Sequence, residues 1–385
     1  MIDLGLARVT RLLGELGNPQ NCYKAFHVAG TNGKGSVVSY LSSILTYNGV
    51  RTGRFTSPFL INEEDAICIN NRPITRQLYE DVKKAVDALN IQKTIQATEF
   101  EREAATAFEV FRREKVEVAV IEVGLGGLLD ATNVLMKENV LCTAITKIAF
   151  DHEGFLGSSL TQIATQKAGI IKPGVPCVAD GTNDTEVLQV VKSVADMKSS
   201  LLYTPVGLPV GYSTRDILEG EFQKQNAAVA VQSISVAYPQ FSRGMIIEGL
   251  RNTTWPGRLQ WIDMGNQRVL VDGAHNPSAA IELAKYVQEH MRPKSPITWV
   301  VAFSKPCDDI LAQLVQPGDK VIATKFGSIA TMPWIKSLDP NNICESARKY
   351  TEESNVTQVA NIKDVYFNDN TVICGSLYLL RELYR

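Results

Sequence analysis

The sequence lacks the cysteine pairs, long apolar stretches and strong net charge that mark several classes of protein. Its seven cysteines are scattered, odd in number and never spaced as C-x-x-C, which argues against a zinc site or a disulfide framework and favours a reducing compartment. No apolar stretch is long enough to span a membrane, and the first residues make a poor signal peptide. We therefore expect a cytoplasmic protein without a membrane partner.

Neither sign of charge dominates, and no repeat or low-complexity tract is present. A formal net charge of −2 gives no general attraction for nucleic acid, so phosphate binding must be local. The sequence also has no apolar interface stripe, which favours a monomer. A chain of 385 residues is longer than one typical core, and two domains are the default expectation.

What is present is an alternation of short apolar runs with longer helical patterns, as in a parallel sheet covered by helices. The runs "KAFHVAG", "VEVAVIEVGLGG" and "LCTAIT" read as buried strands. A second series, "RVLVDGAHNP", "ITWVVAF", "KVIATKF" and "TVICGSLYL", follows the interruption "NTTWPGRLQW". The predicted fold is α/β, with domains at residues 1–258 and 259–385.

The stretch "HVAGTNGKGSV", residues 27–37, resembles a phosphate-binding loop but departs from G-x-x-x-x-G-K-[ST] at two positions. Val28 stands in place of the first glycine, and Gly35 in place of the hydroxyl residue after Lys34. Ser36 follows one position late, about 100° further around a helix. The strand, glycine turn and lysine still predict nucleotide binding, whereas a simple glycine-rich turn is the alternative.

Polar residues at other predicted strand ends are candidate replacements for the missing hydroxyl. Ser57 follows the strand "VRTGRFTS", Glu122 ends "VEVAVIE", and His152 lies in "DHEG" after "LCTAIT". Ligands gather at the carboxyl ends of parallel strands, so these side chains are expected to share one edge. A cap for Ser57, a salt bridge for Glu122 and a structural hydrogen bond for His152 remain open.

The turn "DGAHNP" carries Asp272 and His275 between a predicted strand and a helix, and so resembles a second ligand-binding turn. Arg258, in the predicted hinge, could reach phosphates from the other domain. Both features could equally be interdomain contacts without chemistry.

As a set these motifs resemble the folylpolyglutamate synthase and dihydrofolate synthase family of the Mur ligase superfamily. "HVAGTNGKGS", "TSPFL", "DHEGFLG", "QKAGIIKPG", "WPGR" and "DGAHNP" occur in the family's order. "LGNPQN", "DGTND" and "CGSLYL" are similar to the fungal monofunctional branch. The resemblance implies a P-loop Mur-ligase-type central domain with a mostly parallel sheet, plus a smaller Rossmann-like α/β C-terminal domain. It also implies an ATP-dependent amide ligase that joins L-glutamate to a pterin-bearing carboxylate through an acyl phosphate.

The resemblance implies roles for individual residues. The ATP contacts it implies are Asn32, Gly33, Lys34, Gly35, Ser36, Asn226, Arg258 and Asp272. Two Mg²⁺ ions are implied, with the ligands Ser57, Glu122, His152 and a carbamylated Lys167. The pterin pocket it implies is lined by Thr98, Glu99, Phe100, Glu101, Leu129, Asp130 and Ala131. Lys34, Lys167 and His275 are the implied catalytic residues.

Three positions depart from the family pattern. Phe59 replaces a histidine, Leu128 an arginine and Gln166 a glutamate. The loss of a cation at Leu128 bears on substrate preference. Gln166 changes the setting of the lysine beside it without removing that lysine.

Four functions therefore compete. The first joins dihydropteroate to L-glutamate, and the second extends a folate that already carries glutamate. A catalytically silent binding protein is a third, supported by Leu128. A plain P-loop kinase or GTPase explains neither the shifted Ser36 nor the second domain bearing "DGAHNP".

Overall fold

The computed structural model describes residues 3–293, 295–329, 332 and 334–384. It divides into two compact units, the first extending to Leu218 and continuing as Phe222–Trp255, the second comprising Glu219–Glu221 and the chain from Pro256 onward. Among the described helices, none combines the length and the apolar character needed to cross a bilayer.

An eight-stranded sheet forms the centre of the first unit. Its strands are β1 (Lys24–Ala29), β2 (Thr52–Phe55), β3 (Ile67–Ile69), β4 (Arg72–Pro73), β5 (Val118–Glu122), β6 (Val140–Ile145), β7 (Cys177–Ala179) and β8 (Leu202–Tyr203). The order is β4-β3-β2-β5-β1-β6-β7-β8. β2, β5, β1, β6, β7 and β8 pair in parallel, whereas β3 and β4 are antiparallel additions.

The helices of the first unit connect and cover this sheet. They are α1 (Ala7–Glu15), α2 (Lys34–Tyr47), α3 (Arg76–Gln92), α4 (Glu99–Arg113), α5 (Glu153–Leu156), α6 (Leu160–Ala168), α7 (Thr185–Met197), α8 (Glu221–Ala237) and α9 (Arg243–Arg251). α2 ends before Asn48-Gly49, where Gly49 adopts a positive φ that ends helices readily.

One hydrophobic core of the first unit lies between α2, α8, α9 and one face of the sheet. Phe26 of β1, Leu41 and Ile44 of α2, Ile234 of α8 and Leu250 of α9 are buried together there. Because most of the strands are covered on both faces, their sequences are nearly continuous apolar runs rather than alternating ones. The core fixes α2, and therefore the glycine loop that precedes it, against the middle of the sheet.

The second unit is built on a six-stranded sheet. Its strands are β9 (Gln260–Met264), β10 (Gln267–Val271), β11 (Thr298–Val301), β12 (Lys320–Ala323), β13 (Val356–Gln358) and β14 (Thr371–Cys374), in the order β13-β12-β11-β14-β10-β9. All neighbours are parallel except the hairpin of β9 and β10. Its helices are α10 (Pro277–His290), α11 (Asp308–Leu314), α12 (Pro340–Ala347) and α13 (Leu377–Tyr384). The predicted α/β class with mostly parallel sheets is confirmed.

Candidate active site

Four neighbouring parallel strands end at the edge of the sheet where the polar motifs lie. Register pairs Phe55 with Ile121 between β2 and β5, and Val28 with Glu122 between β1 and β5. Ala29 of β1 pairs with Ile145 of β6 in the same direction. The glycine loop after β1, Ser57 after β2, Glu122 and the segment after β6 therefore share one edge, as the strand pattern predicts.

The glycine loop is held closely on both sides. Thr31 N–H donates to the Lys147 carbonyl over 2.9 Å, and the Thr31 hydroxyl donates to the Ala149 carbonyl over 3.0 Å. Gly33 has φ 90°, and an ideal Cβ there would lie 2.2 Å from Oδ1 of Asn226. Only glycine suits both the left-handed backbone and this close approach. The loop is thereby brought against Asn226 of α8.

A tryptophan ring occupies the space beside Gly35. An ideal Cβ on Gly35 would lie 2.5 Å from Cζ2 of Trp255, so the hydroxyl side chain of the standard loop has no room at this position. The next residue, Ser36, is buried, and its hydroxyl accepts a hydrogen bond of 3.1 Å from Nε2 of Gln223. The Ser36 side chain is thus directed toward α8.

Lys34 and Glu122 form a partly buried ion pair at the strand ends. Lys34 Nζ lies 3.8 Å from Glu122 Oε1 and donates to the Thr31 carbonyl over 3.2 Å. The Glu122 side chain is 7 % exposed. A buried carboxylate requires a cation or donors, and here it balances the lysine of the phosphate loop. Both groups lie at the edge where a phosphate would meet the loop.

Lys167 of α6 is buried against the glycine loop. Its Nζ donates to the Gly30 carbonyl over 2.7 Å. Burial, and next the nearby Lys34 ammonium, lower the pKa of Lys167 to about 7, while Asp151 and Asp130 oppose the shift. A substantial fraction of this amine is therefore neutral, and nucleophilic, at neutral pH.

His152 lies at the N-terminus of α5 in a left-handed conformation, with φ 53°. Its backbone N–H donates to Asp151 Oδ1 over 2.9 Å, and its Nε2 lies 3.9 Å from Asp151 Oδ2. The His152 side chain is 49 % exposed, whereas that of Asp151 is 9 % exposed. The His152 side chain is therefore about half exposed, and Asp151 accepts a hydrogen bond from its backbone.

The segment Thr98–Glu101 begins α4 and is shaped largely by helix capping. Thr98 and Glu101 form a reciprocal capping box, and Glu101 also accepts from Arg8 Nε over 3.0 Å. Phe100 packs against the following turn, because a Cβ on Gly124 would lie 2.2 Å from Phe100 Cζ. The structure thus brings the first predicted substrate segment against Gly124, at the start of the turn that later carries the second.

The second segment belongs to a tight turn, residues 124–133, which we call the substrate turn. Asp130 is buried, and its carboxylate accepts from the Leu125 and Thr132 N–H groups over 2.8 and 3.0 Å. Leu129 is 42 % exposed and Ala131 is buried. Only part of this segment therefore presents side chains to a ligand.

The three departures from the family pattern lie in different environments. Leu128 is exposed on the substrate turn, and its N–H donates to the Gln166 carbonyl over 2.7 Å. Phe59 is buried after β2. Because the hydrogen bond from Leu128 is made to the backbone of Gln166, it joins the substrate turn to the last helical turn of α6, which carries Lys167.

In the second unit, Arg258, Asp272 and His275 lie in two adjoining turns. Both carboxylate oxygens of Asp272 accept backbone N–H groups, from Leu259 over 2.9 Å and from Ala274 over 2.8 Å. A Cβ on Gly273 would lie 2.2 Å from Arg258 NH1. His275 Nδ1 lies 2.8 Å from the Gly273 carbonyl. Asp272 thus shapes the turns that present the other two residues.

Sequence reasoning missed the groups that support these residues. Trp255, which fills the space at Gly35, was seen only as part of a hinge motif. His27 received no role, although its buried ring contacts the substrate turn. No local pattern signals either contact, because both join residues more than 100 positions apart in the chain.

The donor set at this edge suits a hard cation. Mg²⁺ prefers oxygen ligands and commonly uses one or two carboxylates together with water and substrate phosphates. Glu122 supplies a carboxylate at the end of β5, and Ser57 a hydroxyl just after the neighbouring strand β2. Within the described part of the chain, no cluster of three or more His, Cys, Asp or Glu side chains has the arrangement of a metal site.

Comparisons with known proteins agree on one family. Residues 28–194 match the model of the Mur ligase middle domain, and residues 258–385 match the C-terminal domain of dihydrofolate synthetase. The chain is 40 % identical over its whole length to a probable dihydrofolate synthetase of Schizosaccharomyces pombe and to the dihydrofolate synthetase of Saccharomyces cerevisiae, covering 98 % of each. A solved Mycobacterium tuberculosis folylpolyglutamate synthase, complexed with ADP and AMPPCP, superposes with a TM-score of 0.86 at 29 % identity, over 98 % of this chain and 94 % of that one. The chain belongs to the dihydrofolate synthase and folylpolyglutamate synthase family of the Mur ligases.

Proposed function

We propose that the protein is an ATP-dependent ligase that joins L-glutamate to 7,8-dihydropteroate, forming 7,8-dihydrofolate, ADP and phosphate. The observation that carries the proposal is the meeting of the glycine loop, the Lys34–Glu122 pair and buried Lys167 beside the substrate turn. Full-length relatives at 40 % identity that are named dihydrofolate synthetases favour dihydropteroate as the substrate.

The reaction requires activation of a carboxylate. A carboxylate is a poor electrophile, and transfer of the terminal phosphoryl group of ATP to its oxygen provides a good leaving group. The glutamate amine then attacks the carbonyl carbon of the acyl phosphate, the amide bond forms, and phosphate leaves. Catalysis of this kind depends mainly on positioning and on neutralising the phosphate charge.

The glycine loop is suited to hold the ATP phosphates. Backbone N–H groups of Asn32–Ser36 at the start of α2 favour an anion, and Lys34 adds a positive charge. Asn226 lies against Gly33 and can contact the nucleotide beside it. From the second unit, we assign Arg258 and Asp272 to ATP and His275 to the transferring phosphate.

Magnesium is assigned to the strand ends. Ser57 and Glu122 would hold a first ion, and His152 with a modified Lys167 a second. Bound Mg²⁺ would neutralise charge on the phosphate oxygens. The protein itself contributes Glu122 and Lys34, which are already paired at the carboxyl ends of the strands.

Carbamylation of Lys167 is part of the proposal. The neutral amine attacks CO₂, an N–C bond forms, and the nitrogen releases a proton, leaving a carbamate anion. A pKa lowered to about 7 by burial and by Lys34 favours the neutral amine that this step requires. The product offers carboxylate-like oxygens where the unmodified side chain has none.

The pterin-bearing substrate is assigned to Thr98–Glu101 and Leu129–Ala131, and Phe100 of the first segment packs against Gly124 of the turn that contains the second. We also propose that a boundary near residue 258 separates the ATP-binding domain from a C-terminal glutamate ligase domain. A cytoplasmic monomer without nucleic-acid or membrane partners completes the proposal.

A pair of substrates tests the proposal. Glutamate-dependent ADP release from the purified protein is expected with dihydropteroate and not with tetrahydrofolate. The reverse result would select folylpolyglutamate synthesis, the second candidate, for which the folylpolyglutamate synthase likeness is the supporting observation. No ADP release with either pterin, glutamate, ATP and magnesium would identify a catalytically silent member.

A further inference from the structure

A buried histidine is connected to the substrate turn through a threonine. His27 lies on β1 and is buried, with its Nε2 2.8 Å from Thr132 Oγ1. Thr132 Oγ1 in turn donates to Asp130 Oδ1. The three side chains form a continuous hydrogen-bonded chain from the middle of the sheet to the turn.

The direction of the hydrogen bonds in this chain is determined by its acidic end. An ionised carboxylate only accepts, and Asp130 already accepts two backbone N–H groups. The Thr132 proton is therefore directed to Asp130, and the lone pairs of Thr132 Oγ1 face the histidine. His27 must then be the Nε2–H tautomer, which leaves Nδ1 as a buried acceptor without a protein partner.

The hydrogen-bonded series from His27 ends at Asp130, where the substrate turn is most constrained. The Asp130 carboxylate shapes the turn through Leu125 and Thr132, and the opposite side of the turn is joined to α6 at Gln166. A Cβ on Gly127 would lie 2.7 Å from the Gln166 carbonyl and 2.8 Å from that of Lys167. Movement of the turn would therefore displace Leu129–Ala131 relative to the loop that holds the phosphates.

We infer that His27 and Thr132 are positioning residues, which fix the substrate turn for the pterin-bearing substrate without touching that substrate. The inference deepens the proposed function and rests on it for the identity of the ligand. The hydrogen-bonded chain itself is independent of the substrate and can be tested in the protein alone.

The first experiment determines which ring nitrogen of His27 carries the proton. Long-range ¹H–¹⁵N NMR of the full chain is expected to show His27 protonated at Nε2 and not titrating between about pH 6 and 8, because burial lowers the pKa of His27 well below its ordinary value. The chain has four histidines, so the H27Q spectrum assigns the signal. A proton on Nδ1, or a ring that titrates in this range, would overturn the inference.

The second experiment separates positioning from folding. T132V removes the hydroxyl, and H27N places its amide at the Nδ1 position, where it cannot reach Thr132. Both are expected to raise the KM for dihydropteroate about 5- to 10-fold while the KM for ATP stays within about twofold. H27Q, whose Nε2 is as many bonds from the backbone as that of histidine, is expected to restore the dihydropteroate KM.

The chain offers a matched control in T324V, because the Thr324 hydroxyl in the second unit is buried without a hydrogen-bond partner. Its kinetic constants should match those of the unmodified protein. An unchanged dihydropteroate KM in folded T132V, or equal rises for both substrates, would contradict the inference. If the unmodified protein releases no ADP with dihydropteroate, the proposed function fails. The NMR result still tests the hydrogen-bonded connection from His27 to Asp130. If T132V does not fold, the inference is tested by the dihydropteroate KM of H27N compared with that of H27Q, together with the NMR tautomer of His27.

Discussion

Gly35 and Trp255 are packed so closely that a single methyl group on the glycine would lie 2.5 Å from the indole ring. The ring therefore accounts for the absence of a hydroxyl residue after the loop lysine. The guanidinium carbon of Arg54 lies over the same ring, 5.3 Å from its centroid. The irregular loop is thus a consequence of packing in the first unit.

Gly35→Ala is expected to weaken nucleotide binding because the new methyl group must displace either the ring or the first turn of α2. A shift of that turn moves the backbone N–H groups that face the phosphates. We expect the Kd for ADP, measured by calorimetry, to rise about 5- to 150-fold, since overpacking typically costs about 1–3 kcal/mol.

The double variant G35A with W255L provides the control, because the smaller leucine leaves space for the methyl group. Its ADP affinity should recover most of the loss. Wild-type affinity in G35A alone would show that the ring yields easily and does not determine the loop.

Glu122→Gln preserves shape and removes charge at the strand edge. Lys34 would lose its counter-ion at 3.8 Å, and the magnesium ion of the proposed site would lose a carboxylate ligand. Glutamate-dependent ADP release is therefore expected to fall at least about 100-fold, a size typical for the loss of a charged catalytic contact. Circular dichroism and the melting temperature should change little.

E138Q is the matched control, since Glu138 is exposed and lies before β6. It should retain normal ADP release. Near-normal activity in E122Q would remove Glu122 from the proposed magnesium site.

The sequence predicted the elements that depend on short-range pattern. Apolar runs identified β1, β5 and β6, and the rule that parallel strands end together predicted that Ser57 and Glu122 share an edge. Periodicity suffices for such features because a buried strand or helix imposes its own spacing on apolar residues.

Contacts between distant segments could not be predicted in this way. The approach of Trp255 to Gly35 and of His27 to Thr132 depends on how helices and turns pack over the sheet. The antiparallel strands β3 and β4 were missed because they are short and β4 contains a proline. The residue roles themselves came from family resemblance and not from the pattern of the chain.

Lys167→Ala tests whether residue 167 acts as a carbamylated, anionic side chain or as an unmodified ammonium. If the side chain is carbamylated, the alanine variant lacks an anionic oxygen ligand, and formate or acetate should restore part of its ADP release. If the unmodified ammonium is required, methylammonium should restore activity and formate should not. The measurement is ADP release by K167A against the concentration of each additive.

K172A is the control for nonspecific rescue. Burial, followed by the nearby Lys198, lowers the pKa of Lys172 to about 8, and its Nζ donates to the Asn133 carbonyl over 3.1 Å. It is thus a second buried lysine with a lowered pKa and a backbone acceptor. Formate should leave K172A unchanged, and rescue of both variants would disprove a specific role for an anion at Lys167.

Glu103 lies in a cluster of carboxylates that share few cations. Lys83 Nζ is 2.8 Å from Glu99 Oε1 and 3.6 Å from Glu63 Oε2. Burial raises the pKa of Glu103 to about 7; Lys83 and Arg102 oppose the rise, whereas Glu99 and Glu63 add to it. The group is therefore protonated in the folded protein over a range in which it is ionised in the unfolded chain.

Glu103→Gln should abolish the resulting dependence of stability on pH. A folded pKa above the unfolded value of 4.5 gives stability that is present at low pH and is lost as the pH rises to about 7. At pH 8 the variant should therefore be more stable than the unmodified protein by about 1–3 kcal/mol, with a smaller difference at pH 5. Urea unfolding of both proteins at the two pH values measures this, and exposed Glu289→Gln should show no pH-dependent difference. If the free energies of unfolding of Glu103→Gln and the unmodified protein differed by the same amount at pH 5 and pH 8, Glu103 would already be ionised in the folded protein at pH 5.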